Sequence, residues 1–457
     1  MPPQNVGKRT EQICYDKVDL PQENLIMRTA FITLVFSFIA IYFAQTIVGL
    51  QLKPRSLQAF ISIAIFSIAL ISFPRLSLYF VIVSLTFFDP RYWWSFIRLY
   101  LHQWIILASI LILAGQRLYQ RQKFHILKLD LALGFFLLTF FISYINSIDI
   151  SLSLKWTTYF FVFLGGYFLL RLSINSEQEL GRVIAFLIFC GAITAAIALY
   201  RAGAGIRAAD LVLRNPNATG NYLTLILPMA IALFFHGNFT IPRKTLLLIA
   251  IMMIASSIIL TLSRSSWVGC MAGVLALGLI KPKIKYFAVV IPVLIIILFL
   301  PPVRQRLVED RTDPGVTYRQ TKIKVAYQMF RERPLLGHGP GGFQAMAPTS
   351  EEWAVFAHSA IENMYMRILA EGGLIQAIVF FGLLIYINYL GVSTIKGNTP
   401  DNLQAVVVGS LASFWAALGI GVGEDPLLFP MSNWLVGLYL GIIVKCREIS
   451  GLEKFLI

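Results

Sequence analysis

Long apolar runs, separated by short polar segments, extend from position 28 to position 445. Many of these runs contain about 15 to 24 residues, enough for a helix rising about 1.5 Å per residue to cross the hydrocarbon core of a bilayer. The predicted spans lie near residues 28–48, 57–73, 76–88, 99–114, 127–145, 152–170, 183–200, 221–235, 245–262, 266–280, 286–300, 374–391, 404–421 and 431–444. The pattern therefore predicts an all-α polytopic membrane protein with about 12 to 14 transmembrane helices.

Composition indicates the same class of protein. Hydrophobic residues make up 57% of the chain and charged residues only 13%, against roughly 25% charged residues in an ordinary soluble domain. The first apolar run, 27–50, is too long for the apolar part of a cleavable signal peptide, so it predicts a retained signal anchor. The four cysteines have neither CxxC spacing nor histidine partners at metal spacing, so we expect no disulfide framework, metal or cofactor.

The net charge of +15 is compatible with nucleic-acid binding, but cytoplasmic loops rich in Lys and Arg are the commoner cause in a membrane protein. We therefore expect membrane lipids and no nucleic acid as partners. With the N-terminus inside, the basic connections 115–126, 236–244 and 281–285 face the cytoplasm. This topology predicts a cytoplasmic tail (1–27), transmembrane helices (28–300), a large extracytoplasmic loop with amphipathic helices (301–373), C-terminal transmembrane helices (374–445) and a cytoplasmic tail (446–457).

The predicted outer face also carries cations, and most of them are arginines, which topology rules alone do not explain. These are Arg201, Arg207, Arg214, Arg264, Arg304, Arg306, Arg311, Arg319, Arg331 and Arg333. The planar guanidinium group matches phosphate oxygens, which indicates a face that binds pyrophosphate or another polyanion. Pairing with neighbouring carboxylates or contact with lipid headgroups is the alternative.

The long connection 301–360 is typical of a lid or binding loop. Within it, residues 318–331 have helical periodicity, which predicts a helix lying on the outer membrane surface. A glycine-rich run follows at 337–342, where backbone N–H groups can approach a ligand closely. The run lacks the Gly-Lys-Ser/Thr ending of a P-loop, so it gives no indication of nucleotide binding.

Four short polar stretches stand between the apolar runs and carry the candidate chemistry. They are Arg214-Asn215-Pro216-Asn217 with Gly220-Asn221, then Ser263-Arg264-Ser265-Ser266-Trp267, then Arg319 through Phe343 including His338, and finally His358 through Leu374. Turn chemistry, an interfacial arginine, and helix capping with local ion pairing are the structural alternatives. As a helix, the last stretch places Asn363, Arg367 and Glu371 on one stripe, and His358 one turn from Glu362.

Taken together and in this order, the four stretches resemble the O-antigen ligase and polymerase superfamily, over roughly residues 149–390. The resemblance implies a GT-C-like, metal-independent inverting glycosyltransferase of the bacterial inner membrane. Its partners would be an undecaprenyl-pyrophosphate-linked oligosaccharide donor and a glycan or lipid acceptor, and 301–373 would be its catalytic loop.

The same resemblance implies roles for individual residues. Arg264 and Arg319 match the arginines thought to hold the donor pyrophosphate, and Arg214 could assist them. Further substrate contacts are expected at Asn217, His338, Asn363 and Tyr365.

The acceptor-activating base differs from the family pattern. Ligases usually place a histidine directly before the asparagine of the last stretch, whereas this chain has Glu362 before Asn363. Either Glu362 or His358 could therefore accept the hydroxyl proton. The difference favours a polymerase or an exopolysaccharide enzyme over a lipid A core ligase.

Two readings from other classes remain open. Some relatives in the superfamily carry a bicarbonate-transporter description, and paired broken helices or an internal repeat would favour a transporter. We find no convincing repeat, and acidic residues inside the apolar runs are few. A non-catalytic scaffold of a polysaccharide export complex is the third alternative.

Overall fold

Helices make up the ordered elements of the computed structural model, which describes residues 76–87, 101–121, 125–204, 207, 215–281, 304, 314–346 and 359–453. No strand occurs among these residues, which confirms the all-α class. The helices are α1 (Ser77–Phe87), α2 (Leu101–Tyr119), α3 (Lys128–Ser143), α4 (Ile150–Ser173), α5 (Glu177–Gly203), α6 (Pro216–His236), α7 (Ile241–Leu260), α8 (Arg264–Ile280), α9 (Pro314–Glu332), α10 (Gly342–Met346), α11 (Met364–Lys396), α12 (Asp401–Ile420) and α13 (Pro430–Ile449). Short 3₁₀ turns at Tyr144–Asn146 and Pro426–Leu428 follow α3 and precede α13.

Six of the described helices are long and apolar enough to cross a membrane: α3 with its 3₁₀ extension, α5, α6, α7, α11 and α12. Helices α1, α2 and α8 are shorter apolar helices. Every predicted span that falls on described residues coincides with a helix, so the multi-pass architecture is confirmed. The spans predicted at 28–48, 57–73 and 286–300 lie outside the described residues.

Helices α4 and α13 pack with their backbones in contact. A Cβ atom added at Gly437 would lie 1.9 Å from the carbonyl oxygen of Phe163, and one added at Gly166 would lie 2.3 Å from that of Trp434. Gly441, four residues after Gly437, faces α4 in the same way. Small residues at this spacing let helices approach closely where burial of apolar surface gives no preference for protein over lipid.

A second pair, α8 and α12, runs antiparallel at similarly close range. A Cβ atom added at Gly269 would lie 2.8 Å from the carbonyl oxygen of Ala416, and one at Gly419 would lie 3.0 Å from that of Val268. The first turn of α8 is thereby held beside the last turn of α12.

Helix α11 is interrupted at Gly373, which has a φ angle of 67°. The interruption frees backbone groups that segment 334–339 binds. Leu374 N–H donates to Pro334 O at 2.8 Å, and Gly339 N–H donates to Glu371 O at 2.9 Å. Because an unpaired backbone group is costly in an apolar environment, this docking is what allows the helix to break there.

The docked segment also contacts the connection between α3 and α4. Asn146 Nδ2 donates to Gly337 O at 3.0 Å, and Ser153 Oγ donates to Pro340 O at 2.7 Å. The helix that precedes this segment, α9, contains the helix predicted at 318–331, while its position on the membrane surface stays a prediction.

We expect Gly373→Ala to lower the free energy of unfolding by about 2 kcal/mol or more, because its positive φ is strained for alanine and the new Cβ would meet a carbonyl group. That Cβ would lie 2.4 Å from Leu335 O. Thermal unfolding of the purified protein in detergent measures the effect. Gly382→Ala is the matched control, since nothing lies within 4 Å of its added Cβ in the same helix. Equal melting temperatures for the two variants would contradict the expectation.

Candidate functional site

The site is built around residues 421–425, which follow α12 and are called here the 421–425 turn. The start of α11 is fixed to this turn, since Met364 N–H donates to Gly421 O at 2.9 Å and Asn363 Nδ2 donates to Val422 O at 2.7 Å. The start of α8 lies on another side, where a Cβ added at Gly423 would be 3.4 Å from Ser265 Cβ. The turn therefore joins the second and fourth of the polar stretches.

Glu424 is a buried carboxylate in this turn, with 5% of its surface exposed. It accepts hydrogen bonds from Asn217 Nδ2 at 3.1 Å, Asn221 Nδ2 at 2.7 Å and Ser265 Oγ at 3.2 Å. Burial raises the pKa of the Glu424 carboxyl, although the hydrogen bonds from the two asparagines and the positive charge of Arg319 act to lower it. The first stretch, at the start of α6, is thus tied to the same turn.

A serine network fixes the first two stretches side by side. Ser266 Oγ donates to Asn221 Oδ1 at 2.9 Å and lies within hydrogen-bond distance of Ser263 Oγ, also at 2.9 Å. Gly220 allows this contact, because a Cβ there would lie 2.5 Å from Ser266 Oγ. Arg264, half-buried, is the first residue of α8 and stands between these serines in the chain.

Asp425 is buried and is paired with Arg367, whose Nε donates to its carboxylate. Arg367 also lies 3.7 Å from Glu371, one helical turn further along α11. The Glu371 carboxylate accepts hydrogen bonds from the backbone of Gly341 and Phe343. This chain of contacts connects the turn to the glycine-rich segment beside the break in α11.

The third stretch reaches the site through α9. Arg319 Nε donates to Glu362 Oε2 at 2.5 Å, and Lys322 Nζ lies 3.4 Å from Glu362 Oε1. The Lys322 side chain is only 3% exposed and its ammonium group lies 4.5 Å from the centre of the Tyr318 ring. Two cations from one face of α9 therefore share a single carboxylate at the start of α11.

Several of the predicted site residues lie together in this structure: Asn217, Arg319, Glu362 and Asn363 all contact the 421–425 turn or one another. Asn363 also caps α11 by accepting from Met366 N–H at 2.9 Å. Tyr365 donates its hydroxyl to Leu418 O at 2.8 Å, so it holds α11 against α12. Their roles toward a substrate stay predictions.

His338 lies apart from that group. It is 2% exposed, and its Nε2 lies 3.0 Å from Met329 O in the packing between the glycine-rich segment and α9. Burial lowers the pKa of its imidazole. Its substrate-binding role also stays a prediction, and Arg214 and His358 lie outside the described residues.

The sequence analysis missed three charged residues of the site. Glu424 and Asp425 were not among the predicted site residues, although two adjacent carboxylates between apolar runs were a usable signal. Lys322 was not singled out within the helix predicted at 318–331. The described part of the chain holds no group of three or more His, Cys, Asp or Glu residues arranged for a metal ion.

Comparisons with known proteins bear on the same region. No curated protein matches the chain. The family model described as O-antigen ligase matches residues 245–381, which run from α7 through α8 and α9 into α11 and so include Arg264, Arg319 and Glu362. The match covers less than half of the chain. Over this segment the chain is similar to the O-antigen ligase family, which supports a general role in glycan transfer.

Proposed function

We propose that this protein transfers or polymerises glycan from an undecaprenyl-pyrophosphate-linked donor at the outer side of the bacterial inner membrane. The acceptor would be a glycan or a lipid. What supports the proposal is the convergence of three polar stretches, far apart in the chain, on the 421–425 turn. The remaining stretch joins them because Arg319 is paired with Glu362. Turn chemistry and local capping alone would not require them to meet.

The donor pyrophosphate would bind at the cationic side of the site. Arg319 and Lys322 present two positive charges from α9, and Arg264 adds a third at the N-terminus of α8. The unpaired N–H groups of a helix N-terminus also favour an anion. Fixed cations stabilise the charge that develops on a leaving pyrophosphate, so the transfer needs no metal ion. Arg214 would assist from outside the described residues.

The surroundings of the turn strengthen these interactions. Beneath Pro426 lies a small cavity lined only by apolar residues, among them Phe160, Phe163, Phe380 and Met364. The rings of Phe160 and Phe163 are stacked with their centres 5.3 Å apart. An apolar lining disfavours water on that side, and charge interactions are stronger where the local dielectric is low.

Glu362 would act as the general base, with His358 as the alternative. The acceptor hydroxyl loses its proton to the carboxylate while its oxygen attacks the anomeric carbon. The bond from that carbon to the phosphate oxygen breaks on the opposite side, and the pyrophosphate leaves with the electron pair. In-line attack of this kind inverts the anomeric configuration.

The break in α11 resembles the discontinuous helices of transporters. In those proteins, however, the freed backbone groups line a substrate or ion site, whereas here Pro334, Leu335 and Gly339 bind them. The break therefore favours a rigid scaffold for a transferase over a transport pathway.

Arg319→Gln should lower kcat/KM for transfer by about 100-fold or more, because it removes a fixed cation from the developing pyrophosphate charge. Transfer from lipid-linked donor by protein in proteoliposomes measures this. Lys324→Gln is the matched control, since Lys324 is an exposed cation of the same helix. Wild-type rates in Arg319→Gln would remove the basis of the proposal.

Glu362→Gln should lower the rate of transfer by about 100-fold or more, as expected for loss of a general base, while His358→Gln should lower it by less than tenfold. A gel of lipid-linked and surface polysaccharide from a complemented deletion strain then identifies the reaction. Accumulation of single-repeat carrier lipid indicates a polymerase, and long carrier-linked chains without surface attachment indicate a ligase. An unchanged glycan profile in both Glu362→Gln and His358→Gln would argue against transfer altogether.

A further inference from the structure

The carboxylate of Glu362 occupies the place where the two cations of α9 meet. One of its oxygens accepts from Arg319 and the other faces Lys322, at 2.5 and 3.4 Å. The carboxylate is thus an anion that bridges two cations, and the oxygens of a phosphate group can accept from the same kinds of donor.

Lys322 explains why an anion is required at this point. Its side chain is 3% exposed, and a buried ammonium group is costly unless an opposite charge is close. Glu362 supplies that charge from the neighbouring helix, and the Tyr318 ring adds a cation–π contact. The Glu362 carboxylate can therefore leave only if another anion replaces it.

The exposure of the partners shows that a replacement can reach the pair. The side chains of Arg319 and Glu362 are 36% and 33% exposed, whereas Lys322 lies beneath them. Glu424, the next carboxylate to feel the charge of Arg319, is buried and already bound by Asn217, Asn221 and Ser265. Of these two carboxylates, only Glu362 is accessible to an incoming anion.

We propose that Glu362 is a resident anion of the diphosphate site, and that the diphosphate of the donor exchanges with it on Arg319 and Lys322. The inference rests on the proposed function and adds a sequence of events: the donor binds before the acceptor hydroxyl is activated. Exchange forms no covalent bond: the diphosphate oxygens take over the hydrogen bonds, and the released carboxylate turns to the acceptor hydroxyl. The base is then released from its two cations only when a donor is present, so a hydroxyl cannot be activated without a sugar to attack.

The test is the affinity of inorganic pyrophosphate for the full chain in nanodiscs, measured by calorimetry. Glu362→Gln keeps the shape of the side chain but removes its charge, so pyrophosphate no longer competes with a charge-assisted contact. We expect binding about tenfold tighter than in the wild type. Glu362→Asp, which keeps the charge but shortens the reach, should give an intermediate affinity.

The matched control is Glu332→Gln, which makes the same charge change at the far end of α9, about 20 Å from Arg319 along the helix. It should leave pyrophosphate affinity within twofold of the wild type. Equal tightening in Glu332→Gln would mean a general charge effect and would overturn the exchange.

The outcomes separate this inference from the proposed function. If Arg319→Gln weakens pyrophosphate binding but Glu362→Gln leaves it unchanged or weaker, the carboxylate is a structural partner and the exchange is wrong, while the pyrophosphate site stands. If Arg319→Gln has no effect on pyrophosphate binding, the site itself is wrong. Should Glu362→Gln unfold in the nanodisc, an unchanged affinity in Glu362→Asp would also overturn the exchange.

Discussion

The backbone of α11 has to remain hydrogen-bonded across its break, because the break lies in an apolar helix bundle. Much of the site depends on the segment that provides those hydrogen bonds. Segment 334–339 completes the hydrogen bonds around Gly373 and cannot leave without exposing them. Its position brings the N–H groups of Gly341 and Phe343 to Glu371, which in turn faces Arg367. The glycine-rich segment is therefore a structural insert that orients the first half of α11.

Charge compensation organises the other half of the site. Asp425 is neutralised by an arginine, whereas its neighbour Glu424 is held by two amides and a hydroxyl. These adjacent carboxylates therefore have different partners. Asp425 binds a residue of α11, and Glu424 binds residues of α6 and α8. The turn acts as a junction because each of its acidic side chains needs partners that only distant helices can supply.

The hydrophobic pattern was sufficient to predict the helices. Each predicted span that falls on described residues can be identified from its own apolar residues, without knowledge of the helices that pack against it. The amphipathic helix containing Arg319 was also visible in the sequence. The partners of Glu424 were not, since Asn217 and Asn221 precede it by 207 and 203 residues. The predicted span 374–391 begins directly after Gly373, where α11 is interrupted. The docking of segment 334–339 against that break was not visible, since the segment lies far from Gly373 in the chain.

The contact between α4 and α13 has a consequence for motion. Two helices whose main chains touch at Gly166 and Gly437 can neither slide nor rotate past each other without steric collision. The two helices therefore form a rigid pair, and α8 and α12 form a second rigid pair. If the proposed oligosaccharide donor needs more space, the parts that can move to admit it are those held through side chains, such as α9, which is paired with Glu362 just before α11.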